Sequence, residues 1–396
     1  MVPYEIAAES VTLIPEAGIS TAARRLDVVG PHPKEATASG PAPRSLISPN
    51  TDRLMIGGLS LAMFVFAGLL IDHNQPSPTL GWTVFYLSFL VNFPHFLVSY
   101  HLLYADFGKH IFKSFRFLWA AVIVPVILGG AIVMGIESGD ARTLGYIANA
   151  MFFFVGWHYV KQTFGGIVVT NALAKFYYNA RERAVMKSNL FSLWAISWVS
   201  QNVGYQTSAL AGIPFQSVGL PAWCQTAAYL AVGSTALAVI AAHVMKYIRE
   251  GAAPTLPALF CFLSIYVWLI PALYHPMYFH LIPFFHSLQY LLFVVAFRRN
   301  KVISSLGGSL TTPGQRKGFF MRFYGYLALA LVTGATFMWV LPTCLDSYQM
   351  IEPSLFGPTL ALFAVTVFIN IHHYFIDNVI WRGSNPEIRK HLFGAS

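Results

Sequence analysis

Ten apolar runs, each long enough to cross a bilayer, recur along the chain and constrain its fold more than any other feature. A transmembrane helix needs about 20 consecutive, mostly apolar residues. Because hydrocarbon offers no hydrogen-bond partner to the backbone, such runs become helices. The pattern therefore predicts an all-α, polytopic membrane helix bundle of about ten transmembrane helices. The runs fall near residues 54–71, 81–104, 117–136, 144–166, 190–211, 223–244, 255–272, 277–297, 319–341 and 356–380.

The composition agrees with this fold class. Hydrophobic residues make up 56% of the 396 residues and charged residues 10%, whereas a soluble domain carries about 25% charged residues. The net charge of +9 is spread over several segments, and no Lys/Arg run is dense enough for a nucleic-acid-binding face. The three cysteines are scattered without a CxxC pair, which indicates neither a disulfide framework nor a thiolate metal site.

The basic residues between the runs predict the orientation, since cytoplasmic loops are enriched in Lys and Arg. With the N-terminus inside, ten spans place Arg142 as the sole basic residue of the outer segments. Both termini are then cytoplasmic, and the protein is integral to a membrane, the inner one if the cell is bacterial. The basic residues assigned to the cytoplasmic side are Lys109, Lys113, Arg116, Lys175, Arg181, Arg183, Lys187, Lys246, Arg249, Arg298, Arg299, Lys301, Arg316, Lys317, Arg322, Arg382, Arg389 and Lys390.

The chain divides into three parts by composition. Residues 1–50 are rich in Pro, Ala, Ser and Gly and contain no apolar run, which predicts a disordered cytoplasmic tail. Residues 51–382 form the transmembrane helical domain, and residues 383–396 form a short cytoplasmic tail. No signal peptide precedes the first run, so this run is expected to remain as a signal anchor.

Histidines inside the apolar runs are the clearest functional signal. Ionisable side chains are rare within spans because burying them in hydrocarbon is costly. Here the histidines concentrate in the second, fourth, eighth and tenth runs, while the odd-numbered runs contain no histidine. All four runs would cross the membrane in the same direction, so we expect one shared polar site between them. The histidines concerned are His95, His101, His158, His280, His286, His372 and His373.

Helical spacing adds further groups to this site, because residues three and four apart share a face. Asp377 lies four residues after His373 and completes a set of eight candidate metal ligands. Imidazole and carboxylate together suit Fe, Cu or Zn, and the set could hold one or two ions, iron being favoured. The polar neighbours expected to support these ligands are Gln162, Gln289, Asn370 and Tyr290.

A metal buried among apolar helices favours a particular chemistry. The chain has no soluble domain and no nucleotide motif, so its substrate is expected to be a lipid-soluble small molecule that enters from the bilayer. The reaction class that fits is oxidation by O₂ at non-haem iron. Electrons would come from a separate cytoplasmic donor, unless the enzyme is a dioxygenase.

On these seven histidines the chain resembles the histidine-rich integral-membrane non-haem iron oxygenases. These include fatty-acid desaturases, alkane hydroxylases, carotenoid hydroxylases and ketolases; the membrane-embedded carotene-cleaving dioxygenases are similar in the same way. The resemblance covers four of the predicted spans. It implies hydroxylation, desaturation or oxidative cleavage near the cytoplasmic face. The usual boxes of the first group, HxxxH or HxxxxH followed by two HxxHH, do not occur here.

Other functions are compatible with the same residues. A proton-coupled transporter could use the histidines as a proton or substrate path, and the in-span Lys161 and Asp377 would suit it. Against a transporter stand the lack of an internal repeat and the shortage of carboxylates within the runs. Opposed histidines could instead ligate haem or a quinone. A scaffold protein would require neither the clustering nor the confinement to even-numbered runs.

Overall fold

The computed structural model describes residues 44–70, 83, 86–204, 209–348 and 356–393, all within one compact unit. Most of the predicted tail, residues 1–43, lies outside this range. Its last residues, 44–50, pack against the bundle: Leu46 is buried, and its backbone N–H donates to a carboxylate oxygen of Asp52 over 2.7 Å. Helix formation begins directly after Ser48, whose side chain caps the first turn.

The described residues are almost entirely helical. The first five helices are α1 (Pro49–Arg53, a π-helical turn at Leu54–Gly58, then Leu59–Leu70), α2 (Asn92–His101, then a π-helical turn at Leu102–Asp106), α3 (Phe115–Leu118, a π-helical turn at Trp119–Ile123, then Val124–Glu137), α4 (Ala141–Leu173) and α5 (Ala180–Asn202). They are followed by α6 (Ala222–Glu250), α7 (Leu256–Leu269), α8 (Pro276–Ser305), α9 (Pro313–Ala335, a π-helical turn at Thr336–Val340, then Leu341–Ser347), α10 (Leu360–Ile380) and α11 (Pro386–Phe393).

Short elements connect some of these helices. A two-stranded antiparallel hairpin, β1 (Ala209–Leu210) and β2 (Ile213–Pro214), follows α5. Single 3₁₀ turns lie at Gly108–His110 and Pro271–Leu273. This is the only sheet among the described residues, so the all-α prediction is confirmed for that part of the chain.

Seven of the helices are long and apolar enough to cross a membrane: α1, α3, α6, α7, α8, α9 and α10. They indicate an integral membrane protein. The predicted second run falls partly on residues outside the described ones. The fourth run is helical but contains the polar Lys161 and Gln162 in α4. The fifth run is helical to Asn202, and α5 begins before the run with the charged residues Arg181 to Arg183. The count of ten spans and the side of each terminus therefore stay predictions.

Helices α8 and α10 occupy the centre of the bundle. In their most apolar 18-residue windows, 61% of the α8 residues and 56% of the α10 residues are buried, against 17% for α6. Their buried side chains, such as Phe297 of α8 and Ile376 of α10, belong to one apolar core. A polar group on the inner face of α8 or α10 is therefore surrounded mainly by protein.

Helix α2 is held close to α9 by a glycine. A Cβ atom at Gly334 would lie 2.8 Å from the backbone carbon of Phe93 and 2.8 Å from the nitrogen of Pro94. Only a residue without a side chain permits this approach of two backbones. The contact sets the position of the first turn of α2, one residue before His95.

Candidate metal centre

Four buried histidines meet at the centre of the bundle. Each comes from a different helix, and one ring nitrogen of each lies within 4.8 Å of those of the others. We call this group the four-histidine cluster: His95 of α2, His158 of α4, His286 of α8 and His373 of α10. These are the second, fourth, eighth and tenth helices, the four that the sequence predicts to share one polar site.

The rings are packed edge to face around a small common space. The closest pair is His95 and His373, whose Nε2 atoms are 3.0 Å apart. The ring centre of His158 lies 4.9 Å from that of His286 and 4.8 Å from that of His373. His95 and His286 are separated by 5.1 Å between ring centres. All four rings thus border the same space.

Asp377 brings a carboxylate to this space. Its Oδ2 lies 3.3 Å from Nε2 of His373, one helical turn earlier, and 3.7 Å from Nε2 of His158. Its Oδ1 faces away and accepts hydrogen bonds from the hydroxyls of Ser99 (2.9 Å) and Tyr290 (2.8 Å). The carboxylate is therefore oriented through one oxygen, while the other points at the histidines.

Tyr290 orients the carboxylate of Asp377. Its hydroxyl accepts a hydrogen bond from Nε1 of Trp381 over 2.9 Å and donates to Asp377. The Ser99 hydroxyl lies 2.5 Å away. Since Tyr290 and Ser99 are both buried, these hydrogen bonds face little competition from water and orient the carboxylate.

His95 is oriented by groups outside the cluster. Its Nδ1 lies 3.1 Å from the backbone oxygen of Asn92 and 3.0 Å from the hydroxyl of Ser287. When Nδ1 carries the proton and donates it to that carbonyl, the lone pair of Nε2 points into the cluster. Metal-ligating histidines usually have this arrangement, in which the second ring nitrogen donates to a fixed acceptor.

The cluster leaves several of its own polar atoms without a hydrogen bond. Within the described residues, the buried atoms that lack a partner include His158 Nε2, His286 Nδ1, His373 Nδ1 and Asp377 Oδ2. Each unsatisfied buried polar group costs about 1–3 kcal/mol. Several such atoms in one place therefore require compensation. Nitrogen lone pairs and one carboxylate oxygen form a donor set that fits a transition-metal ion. The cluster could therefore hold a metal.

The other three candidate histidines lie outside the cluster. His372, next to His373 in sequence, contacts the hydroxyl of Tyr100 over 2.9 Å and the backbone oxygen of Ala120 over 2.8 Å. His101 lies 3.4 Å from the hydroxyl of Thr333. His280 is exposed at the start of α8.

The expected supporting residues divide in the same way. Tyr290 bonds to Asp377, as described above. Gln162 donates to the backbone oxygen of His286 over 3.1 Å and to the side chain of Gln289 over 3.0 Å. Gln289 in turn donates to the backbone oxygen of Ile56 and is buried. Asn370 donates to Thr366 within its own helix over 2.8 Å, away from the cluster.

Sequence reasoning did not assign roles to Ser99, Ser287 and Trp381. Ser99 lies four residues after His95, and Trp381 lies four residues after Asp377. The helical spacing that linked His373 to Asp377 therefore applied to both. Ser287 directly follows His286 and faces α2 instead, which no spacing rule indicates.

A cavity of about 540 Å³ adjoins the cluster. Three residues of the site line its inner end, His158, Tyr290 and Asp377. It extends between α4, the end of α10 and α11, where its walls include Phe164 and Leu392. Its size lies in the usual range of small-molecule sites, about 300–1,000 Å³. The candidate metal centre is thus accessible to a ligand from one side.

Comparisons with known proteins found no similarity on which to base an assignment: no sequence model of a family, no curated protein and no solved structure matches the chain.

Proposed function

We propose that the protein is a membrane-embedded, metal-dependent oxidoreductase that uses O₂ to hydroxylate, desaturate or cleave a lipid-soluble substrate. The observation that carries the proposal is the four-histidine cluster: four buried imidazoles within 4.8 Å of one another, faced by a carboxylate at 3.3 Å. A cluster made only for packing would pair its ring nitrogens with donors and acceptors, as His372 does.

The four histidines would hold the ion, with Asp377 as a further ligand or as a neighbouring counter-charge. Imidazole and carboxylate are the donors that non-haem iron uses, and iron is the metal that we favour. When bound, iron supplies the electron transfer to O₂ that side chains alone cannot provide. A thiolate ligand is not available, since the nearby Cys261 donates to a backbone carbonyl of α4 instead.

The side chains around the cluster would keep the ion and exclude water. Tyr290 and Ser99 fix one oxygen of Asp377, and Asn92 and Ser287 fix the ring of His95. Such supporting hydrogen bonds raise metal affinity by about 10–100-fold. The apolar core of α8 and α10 would keep water from the sides of the site that face away from the cavity, which helps to protect a reactive centre from side reactions.

The surroundings of the site support a lipophilic substrate. The adjoining cavity opens beside α4, where Gly165 and Val168 are exposed, and it reaches His158 and Asp377. A ligand could enter from the bilayer without crossing water. The sequence contains no flavin, haem-domain or ferredoxin motif, so a reaction that needs electrons would depend on a separate cytoplasmic donor.

We also infer that the bundle crosses the membrane ten times with both ends in the cytoplasm. Helix α11 lies against α8 near the basic residues Arg298 and Lys301, and the basic loops would lie on that side. Labelling of single cysteines placed at Ser304 and Asp140 with an impermeant reagent tests the orientation. In a background without the three native cysteines, only the Asp140→Cys variant should react in intact cells; labelling of Ser304→Cys instead would invert the topology.

Metal analysis of the detergent-purified protein tests the function. We expect close to one or two iron ions per chain, and a loss of most of the metal in His286→Ala and His373→Ala. His280→Ala is the matched control, because this histidine is exposed and lies outside the cluster; it should keep the wild-type metal content.

Two results would contradict the proposal. One is a folded protein that stays free of transition metal after anaerobic reconstitution with Fe(II). The other is loss of metal in His280→Ala but not in the cluster variants. A metal-free cluster would favour the proton-coupled transporter, whose proton path could use the direct contact between His95 and His373; transport assays in vesicles would then follow.

A further inference from the structure

The cavity beside the four-histidine cluster carries an excess of positive charge. Three basic side chains line it: Lys161 of α4, Arg382 after α10 and Arg389 of α11. It has one carboxylate, that of Asp377. The oxygens of Asp377 face Ser99, Tyr290 and the histidines. Among the described residues, none of the three cations forms an ion pair with a carboxylate.

Two of these cations converge on one neutral residue. Nζ of Lys161 donates to the side-chain oxygen of Asn378 over 3.1 Å, and Nε of Arg382 donates to the backbone oxygen of Asn378 over 2.8 Å. Asn378 follows Asp377 directly in α10. The side-chain oxygen of Asn378 holds Lys161 and its backbone oxygen holds Arg382, and neither contact neutralises the cation. Lys161 lies one helical turn from the site, since it is three residues after His158.

Much of the remaining cavity wall is apolar. Its wall includes Phe164, Val169, Phe293, Ile388 and Leu392. Such a surface suits hydrocarbon and gains free energy when hydrocarbon covers it. A site with paired cations at one place and apolar walls elsewhere matches a ligand that has both an anionic group and a hydrocarbon chain.

We propose that this cavity binds an anionic amphiphile, with its head group between Lys161 and Arg382 and its chain along the apolar wall. The proposal rests on the proposed function and narrows its substrate class from lipid-soluble molecules in general to long-chain carboxylates or phosphate esters. Neutral lipids of the same chain length would lack the ion pairs. If Lys161 and Arg382 were simply solvated by water, the protein would not distinguish anionic from neutral lipids of the same chain length.

Equilibrium binding to the full-length, detergent-purified protein tests this proposal. The probes are radiolabelled oleate, dioleoyl phosphatidate and oleyl alcohol, the last matching oleate in chain but carrying no charge. The variants are Lys161→Gln, Arg382→Gln and the double variant, with Lys113→Gln as the control, an exposed cation that does not line the cavity. Unchanged metal content and gel-filtration behaviour show that each variant folds.

We expect saturable binding of an anionic probe that weakens about tenfold or more in the double variant, as the loss of charge-assisted hydrogen bonds implies. Lys113→Gln should bind as the wild type does. Binding of oleate alone identifies a free carboxylate as the ligand chemistry, and binding of phosphatidate alone identifies a phosphate ester. Equal binding of oleyl alcohol, or an unaffected double variant, would overturn the proposal.

The outcome is separable from that of the proposed function. His286 does not line the cavity, so His286→Ala should lose metal but still bind the anionic probe. Binding without metal in the wild type would count against the oxidoreductase and leave the amphiphile site standing. Bound metal in a protein that does not prefer the anionic probes would count against the amphiphile site and leave the proposed oxidoreductase standing.

Discussion

Nε2 of His95 and Nε2 of His373 face each other across 3.0 Å, although the two residues are 278 positions apart in the chain. Two imidazole nitrogens at this distance need a hydrogen between them, because their lone pairs repel otherwise. A bound cation could replace that proton and attract both lone pairs at once. This contact therefore lies where metal binding and proton binding would compete.

The adjacent residues His372 and His373 of α10 are expected to have different roles, His373 as a metal ligand and His372 as a packing residue. We expect His373→Ala to lose most of the bound metal and His372→Ala to keep it, since His372 contacts Tyr100 and Ala120 rather than the cluster. Metal content per chain, measured by mass spectrometry, distinguishes the two. Equal loss in both variants would show that His372 acts with the cluster after all.

Tyr290→Phe should destabilise the protein, because it removes hydrogen bonds beside the four-histidine cluster. The substitution keeps the ring but removes the hydroxyl that bonds to Asp377 and accepts from Trp381. Asp377 then keeps only the hydrogen bond from Ser99, and Trp381 loses its acceptor, which should lower the free energy of unfolding by about 1–3 kcal/mol. Unfolding in mixed micelles measures the loss. Tyr324→Phe, at an exposed tyrosine, should change it by much less; a similar effect would contradict the role of Tyr290.

Gly334→Val should disturb the position of α2. A Cβ atom there would meet the backbone of Phe93 and Pro94 at 2.8 Å, so α9 and α2 must move apart. Overpacking of this kind costs about 1–3 kcal/mol. We expect a lower thermal unfolding midpoint and, because His95 follows Pro94, reduced metal retention. Gly130→Val is the control, since nothing lies within 4 Å of a Cβ there.

Acid should release α11 from α8. Burial acts to raise the pKa of Glu387, but its hydrogen bond from Lys301 and the nearby charges of Lys301, His391 and Lys109 outweigh this and lower the pKa. The carboxylate lies 2.7 Å from Nζ of Lys301. A lowered folded-state pKa stabilises the docked helix above the unfolded-state pKa of about 4.3, and the stabilisation disappears as the pH falls through the folded value.

Hydrogen exchange in α11 measures this release. The amides of Arg389 to Leu392 should be protected near neutral pH and exchange faster, relative to the intrinsic rate, as the pH falls below about 4.3. Glu387→Gln should abolish the change in this range. Glu137→Gln, at an exposed residue, should not. Unchanged protection in acid would show that the ion pair does not hold α11 in place.

The linear sequence determined the environment of the site and the chemical type of its residues. Long apolar runs can satisfy their backbone in lipid only as helices, so the helical bundle followed from composition and run length. The concentration of histidines in four even-numbered runs predicted a shared site. The spacing of His373 and Asp377 predicted a common face, since residues four apart on a helix are neighbours, and the two are 3.3 Å apart.

Only tertiary structure decided which histidines meet. Consecutive helical residues differ by about 100° around the axis, so His372 and His373 cannot face the same space, and neither can His95 and His101 in a regular helix. Sequence spacing gives these angles but no absolute direction. The direction depends on which helices pack against each other: the close approach of α2 and α9 at Gly334 and the central position of α8 and α10 turn one histidine of each helix inward.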